Sequence, residues 1–454
     1  MKVFGSSGTR GVVNESLGPE FLLRVAKAAG TMWRADRVAI ARDTRRTGKM
    51  LADAAASGLA SVGTDVDRLG VLPTPGLQAY AEREGVPALM ITASHNPPQF
   101  NGMKLIGDDG VELSVDGLEA VEERLLAERF ETVSWDETGE ARRVEGARRE
   151  YVDQLLDAVD GEAIADADLT VALDPGHGAG SLTSPEFFRE LGCRVVTVNA
   201  QPDGHFPGRD PEPISENLSD LGRLVASTDA DLGIAHDGDT DRAIFYDERG
   251  EYVEGDATFA ALAAAELSAG DTTVSAVNVS QRLVDVADDV GADLELTPIG
   301  STNIISRIRD LRKGGATVPV AGEGNGGVFF PNYRLARDGA YIAARFLELV
   351  AERPASDIVA PYDDYHNVRR NIEYGTEDER RAMLTGAERR AQSSDAELDV
   401  TDGYRLDYGD AWVLARPSGT EPLVRIYAEA RERDRAVALA EGMVAELESA
   451  RSEA

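Results

Sequence analysis

The chain has one cysteine, Cys193, only five lysines, and no apolar run near the roughly 18 residues of a membrane-crossing helix. A single cysteine excludes an intrachain disulfide and a zinc site built on several thiolates. The opening MKVFGSSGTRG lacks the apolar stretch of a secretory signal. Positive charge is also scarce: 47 Lys+Arg stand against 81 Asp+Glu, so 47 − 81 = −34 over 454 residues. The acids are dispersed and do not form a tail. A uniformly negative surface repels DNA, RNA and anionic lipid, which argues against those partners. With 47 − 5 = 42 of the basic residues being Arg, the balance reads as halophilic, an adaptation to a salty cytoplasm; an ordinary acidic protein is the alternative. The expectation is a soluble, cytoplasmic chain. Its 42% of apolar residues is spread along the whole length, a globular composition sufficient for two to four domains.

Short apolar runs end in Gly-rich polar loops, and they do so in pairs: Arg37–Asp43 with Pro87–Ser94, Leu169–Gly178 with Asp231–Asp237, Thr272–Ser280 with Thr317–Gly324. Helix-like sequence such as Met50–Val62 and Pro185–Leu191 lies between the members of a pair. This is the grammar of parallel α/β layers, repeated three times in pattern though not in residue identity. The segment after His366 differs. A strand over Asn367–Tyr374, a helix over Glu377–Gln392, strands over Asp410–Ala415 and Leu423–Glu429 and a helix over Asp434–Ala450 make a small α+β domain. Four domains are expected, over residues 1–145, 146–250, 251–360 and 361–454: three related α/β units and the C-terminal α+β unit.

Four loops after strand candidates carry the chemistry, as expected where strands end. In TASHNPP (Thr92–Pro98), after Ala88–Ile91, Ser94 is a candidate nucleophile or phosphate carrier; a capping loop serine is the plain reading. In DGDTDR (Asp237–Arg242), Asp237, Asp239 and Asp241 alternate on a tight turn. Their mutual repulsion calls for a cation, and hard oxygens suit Mg²⁺. An EF-hand-type Ca²⁺ loop competes, because Glu248 falls at its twelfth position, but Arg242 stands where that loop needs Gly. A solvated acidic turn is the third reading. In GEGNGG (Gly322–Gly327), after Val318–Ala321, Glu323 and Asn325 can hydrogen-bond sugar hydroxyls; a flexible turn is the alternative. In RPSGTEP (Arg416–Pro422), Arg416, Ser418, Thr420 and the N–H of Gly419 form an anion cradle or a capped hairpin turn. Cys193 reads as a buried hydrophobe and His177 as a loop residue that can line a cleft. His236 reads as packing beneath the acidic loop.

Taken together with FGSSGTRG (Phe4–Gly11), these motifs follow one order across residues 4–422. The set resembles the α-D-phosphohexomutase superfamily of phosphoglucomutases, phosphomannomutases and phosphoglucosamine mutases. The resemblance implies four domains around a central cleft and a cytoplasmic, carbohydrate-metabolising isomerase. Such an enzyme interconverts hexose or hexosamine 1-phosphate and 6-phosphate through a phosphoserine and a hexose 1,6-bisphosphate. It implies that Ser94 carries the phosphate and that Asp237, Asp239 and Asp241, with a phosphate oxygen on Ser94, hold one Mg²⁺. Arg10 and Lys104 would lie beside the phosphoserine, and Arg242 would reach substrate. Glu323 and Asn325 would bind the sugar, and Arg416, Ser418, Gly419 and Thr420 the phosphate that is not reacting. Many relatives carry G-E-x-S-G-H in the sugar loop, where this chain has Asn325 and Gly327 for Ser and His; any acid/base role of that His moves, with Lys104 the candidate. The loop Pro298–Asn303 offers only Ser301, Thr302 and Asn303 where some relatives have His or Lys. Asn325 is closer to the phosphomannomutase and phosphoglucosamine mutase types than to dedicated phosphoglucomutases. A phosphatase passing the Ser94 phosphate to water, and a non-catalytic sugar-phosphate binder, are the rival functions; a binder needs neither Ser94 nor three aspartates.

Overall fold

The computed structural model describes residues 4–5, 8–418 and 422–453. Two compact units emerge, one from Met1–Thr258 with Gly324–Val359, the other from Phe259–Glu323 with Ala360–Ala454. Among the described residues no helix is long and apolar enough to cross a membrane.

The first sheet of the first unit contains β1 (Thr9–Val12), β2 (Arg37–Arg42), β3 (Asp65–Val71), β4 (Ala88–Ile91), β5 (Phe100–Ile106) and β6 (Ala141–Arg143), ordered β1-β5-β4-β2-β3-β6. The central β4, ALMI, is buried at every residue, as a strand covered on both faces must be. Helices α1 (Pro19–Trp33) and α2 (Gly48–Ala60) cover one face. Their approach is so close that a Cβ at Gly58 would lie 2.4 Å from the Leu23 carbonyl oxygen, so only glycine fits there. A third helix, α3 (Thr74–Glu84), packs in a second apolar cluster through Leu77, Tyr80 and Ala81, together with Leu69, Met90 and Ile106.

A second sheet, in the same unit, orders β7 (Thr170–Asp174), β8 (Arg194–Thr197), β9 (Leu232–Ala235), β10 (Ile244–Tyr246) and β11 (Tyr252–Val253) as β11-β10-β9-β7-β8. Neither sheet is purely parallel, contrary to the expectation from the sequence. β5 returns antiparallel to β4, and β10 antiparallel to β9. The reason is loop length: residues 92–99 and 236–243 give only eight residues each between the paired strands. A parallel crossover needs a dozen or more. Both returns are chemistry-bearing loops.

In the second unit β12 (Thr272–Ala276) pairs in parallel with β13 (Asp293–Thr297) and β14 (Ala321–Glu323). β14 starts later than expected. Pro319 has no N–H to give a ladder, so pairing resumes at Ala321 and Glu323 ends the strand instead of lying in the loop. The hairpin of β15 (Gly327–Phe330) and β16 (Arg334–Arg337) belongs to the first unit. The C-terminal sheet is antiparallel, with β17 (His366–Glu373), β18 (Glu397–Asp399), β19 (Tyr404–Asp407), β20 (Ala411–Pro417) and β21 (Leu423–Ala430) ordered β17-β21-β20-β19-β18. Helices Glu377–Gln392 and Arg433–Ser452 cover it through Met383, Met443 and Leu447. Buried Glu429 ties this sheet to the β12 layer, accepting from the Gln281 N–H at 2.6 Å, Ser280 Oγ at 3.1 Å and Trp412 Nε1 at 3.3 Å.

Candidate active site

The Ser94 loop is held by side chains buried beneath it. β2 delivers Asp43 and Arg45, both fully buried. Arg45 Nε pairs with Asp43 Oδ2 at 3.0 Å. Its two Nη atoms donate to the carbonyls of Ser94 (2.8 Å), Asn96 (2.6 Å), Pro97 (2.7 Å) and Phe100 (3.0 Å). All five guanidinium donors are thereby used. Thr92 Oγ1 donates to Asp43 Oδ2 at 2.7 Å and accepts the Ser94 N–H at 2.8 Å. Within this frame Ser94 takes a left-handed backbone, φ 52°, an arrangement that persists only where the surroundings impose it.

Ser94 Oγ donates to Asp237 Oδ2 at 2.6 Å. The two loops touch because position 238 is glycine: a Cβ there would lie 2.6 Å from the Ser94 carbonyl oxygen. Asp237, Asp239 and Asp241 are all buried, and one carboxylate oxygen of each lies within 4.8 Å of the others. The turn that alternates them bends at Thr240, φ 62°, rare for a β-branched residue. Asp237 Oδ1 accepts the Asp241 N–H at 3.1 Å. Asp239 Oδ2 accepts Thr74 Oγ1 at 2.6 Å, at the start of α3, and faces Lys104 Nζ at 3.0 Å. Asp241 Oδ2 takes Lys104 at 2.8 Å and Arg337 at 2.5 Å.

Burial and the charges of Asp241 and Asp239 push Asp237 well above the carboxylate range. Burial acts upward on Asp241 too, but Arg337, Lys104 and Arg242 outweigh it and hold it well below. Burial pulls Lys104 down, yet Asp239, Asp241 and Glu112 (3.6 Å) together keep its ammonium above the ordinary value. Asp239 Oδ1 and Asp241 Oδ1 are buried with no hydrogen-bond partner. Buried anionic oxygens are not left that way without cost, and hard oxygens clustered like these suit a divalent cation of the magnesium type. The donor set therefore fits such an ion. It does not form an EF-hand: Glu248 accepts the Ser356 N–H at 3.1 Å and Ser356 Oγ at 2.5 Å instead.

Arg242 Nη2 donates to His95 Nδ1 at 3.0 Å. Burial and the nearby charges of Arg242 and Arg10 hold that imidazole neutral. Exposed Arg10 reaches Asn96 Oδ1 at 3.2 Å from β1, which pairs with β5, the strand that carries Lys104. His236 packs beneath the loop, its Nδ1 2.9 Å from the Arg242 carbonyl, and burial pushes it down to about 4. His177 is a packed loop residue, with Nδ1 2.8 Å from the Gln201 carbonyl and Nε2 accepting the Gly208 N–H at 3.2 Å.

The first unit thus holds Ser94, the three aspartates, Lys104, Arg242, Arg10 and also Asn325, whose Oδ1 accepts the Gly327 N–H at 3.1 Å. Glu323, Arg416 and Ser418 belong to the second. There Arg416 pairs with Asp402 Oδ2 at 3.0 Å, and the same oxygen accepts the Ile299 N–H at 3.1 Å; of the expected loop Pro298–Asn303, Ser301, Thr302 and Asn303 instead form the first turn of the helix Ser301–Lys313. The Ser418 N–H donates to the Leu423 carbonyl at 2.8 Å. Gly419 and Thr420 lie outside the described residues. Sequence reasoning missed Arg45, Thr74 and Arg337. The first two follow strands, in RDTRR and VLPTPG, and strand ends were the available signal; Arg337, at the end of a hairpin, offered none.

Comparison with known proteins agrees along the whole chain. Family models for phosphoglucomutase/phosphomannomutase match alpha/beta/alpha domain I over residues 1–132, domain II over 149–250, domain III over 254–365 and the C-terminal domain over 375–446. The chain is 40% identical over 445 residues to the phosphoglucomutase/phosphomannomutase of Thermococcus kodakarensis, covering 96% of each. It is 39% identical over 442 residues to a Methanopyrus kandleri protein named "Probable phosphoglucosamine mutase", covering 96% of this chain and 95% of that one. The crystal structure of a phosphoglucomutase/phosphomannomutase family protein from Burkholderia thailandensis superposes with a TM-score of 0.86 at 27% identity, over 99% of this chain and 98% of that one. With matching sequence in all four domains and the same fold end to end, the chain belongs to the phosphoglucomutase/phosphomannomutase family.

Proposed function

We propose that this protein is a phosphohexomutase of phosphoglucosamine mutase or phosphomannomutase type, working through a phosphoserine at Ser94. The observation that carries the reading is the 2.6 Å hydrogen bond from the buried Ser94 Oγ into a triad of buried aspartates. In phosphoryl transfer most of the catalysis is positioning and charge neutralisation. A magnesium ion held by Asp237, Asp239, Asp241 and a phosphate oxygen on Ser94 would offset charge on the transferring group. Arg45 fixes the Ser94 backbone, so the phosphoryl group on its oxygen meets the sugar hydroxyl without a search. Lys104 supplies positive charge and a proton on the Ser94 side of the site. Arg10 lies with Lys104 beside the phosphoserine, and Arg242 contacts the phosphorylated substrate. Glu323 and Asn325 orient sugar hydroxyls, while Arg416, Ser418, Gly419 and Thr420 take the phosphate that is not reacting. The Ser94–phosphorus bond breaks as the sugar's oxygen–phosphorus bond forms, the proton lost by the sugar hydroxyl balancing the one gained by Ser94 Oγ, and a hexose 1,6-bisphosphate results. After the bisphosphate turns over, its other phosphate returns to Ser94. The domain limits 1–145, 146–250, 251–360 and 361–454 are part of this proposal.

Intact mass should show one extra phosphate on the wild type, absent from Ser94→Ala, and that variant should lose nearly all turnover while still binding sugar phosphate. Near-normal turnover in Ser94→Ala would sink the mechanism. A panel of glucosamine, mannose and glucose phosphates then ranks the sugars. Release of free phosphate in place of the isomer would instead indicate a phosphatase.

A further inference from the structure

A cavity of about 850 Å³ lies in the first unit beside the carboxyl ends of β2 and β3. Its wall contradicts the charge of the chain. Six of its 19 lining residues are basic, namely Arg42, Lys49, Arg68, Arg143, Arg148 and Arg149, and only Glu145 and Glu186 are acidic. The whole chain has 81 acids to 47 bases, so this reversal is local and concentrated. Three of the six are already committed. Lys49 and Arg68 pair with Asp53, and Arg149 with Asp153, Glu186 and Glu190.

The other three engage charge weakly. Arg42 Nη1 donates to the Asp43 carbonyl at 3.0 Å, Arg148 Nε to the Val71 carbonyl at 3.1 Å, and Arg143 stands 3.9 Å from Glu145. Burial and the like charges of Arg148 and Arg68 hold the Arg42 guanidinium below its ordinary value, against the pull of Asp43. An anion between these forks would relieve that repulsion and gain charged hydrogen bonds. The space far exceeds one phosphate, and Leu69, Val71 and Leu182 give it an apolar wall against which a flat ring can lie, with an arginine stacking on its face.

We propose that this cavity is a second ligand site, separate from the Ser94 centre, that binds a phosphorylated metabolite bearing an aromatic ring, of the nucleoside diphosphate class. The inference stands on charge and shape and does not depend on the phosphohexomutase reading.

Calorimetric titration of the full-length chain with ADP, and in parallel with pyrophosphate, tests it. ADP should bind one per chain, and Arg148→Glu and Arg143→Glu should each weaken it roughly tenfold or more, the loss expected for a charged hydrogen bond. Both positions are exposed, so those variants should fold and keep wild-type turnover. Ser94→Ala should bind ADP as the wild type does. Absence of ADP binding, or binding indifferent to both charge reversals, overturns the site. Pyrophosphate binding as tightly as ADP overturns the ring and with it the nucleoside class.

Discussion

Two buried charged clusters meet at Ser94, and their polar groups are satisfied in opposite ways. Around Arg45 every donor has an acceptor: one carboxylate oxygen and four carbonyls of the loop. Across the contact, Asp239 Oδ1 and Asp241 Oδ1 have none, while Asp239 and Asp241 share Lys104, and Arg337 pairs with Asp241 alone. The first cluster is a scaffold, complete in itself. The second is complete only with something further, the mark of a site built for a ligand and not for stability. Ser94, with its left-handed backbone, sits where the finished cluster imposes its geometry on the unfinished one.

The contrast can be broken from either side. The largest effect should come from Asp237→Asn, which keeps a hydrogen-bond acceptor for Ser94 but removes a charge from the triad. Turnover should fall by about 10³-fold or more, roughly 4 kcal/mol of barrier, while the melting temperature in chelator does not fall, because the lost carboxylate was repelled by its neighbours. A large drop in melting temperature would assign the triad to the scaffold. Next in size, Arg45→Met leaves Asp43 and four carbonyls without their donor. Loss of one partner from a buried ion pair costs about 3–5 kcal/mol, read as a shift in denaturant midpoint; an unshifted midpoint would remove Arg45 from the scaffold. Third, Mg²⁺ at 100 times its dissociation constant should stabilise the wild type by about 2.7 kcal/mol and Asp237→Asn by much less. Equal stabilisation of both would place the ion elsewhere.

Smaller and more diffuse effects concern the rest of the molecule. With a net charge of −34, melting temperature should climb by several degrees between about 0.1 M KCl, where charges interact over roughly 10 Å, and 1 M, where the range is about 3 Å. A flat response would make the acidic surface incidental. Cys193 should be silent throughout. Burial pushes its thiol up to about 12, so at pH 8 iodoacetamide should modify it only after unfolding, and rapid alkylation of the native chain would contradict its burial.

Much of this architecture is legible in the chain itself, because local chemistry dictates it. Short apolar runs bounded by Gly-rich loops mark β2, β4, β7, β9 and β12 to within a few residues, and the helix at Glu377–Gln392 appears where its capping Thr376 and acidic first turn require. Ser94 and the alternating aspartates stand out because strand ends are where ligands sit and three close carboxylates need a cation. Sequence cannot say which way a strand returns. The antiparallel course of β5 and β10 follows from eight-residue connections whose ends become visible only once both strands are in place. Nor could it say what Arg45, Arg337 and Thr74 hold, because their partners lie 49, 96 and 165 residues away. No local periodicity encodes such pairings. They exist because packing buries opposite charges and hydroxyls together, and a buried charge must take whatever partner the fold brings within reach.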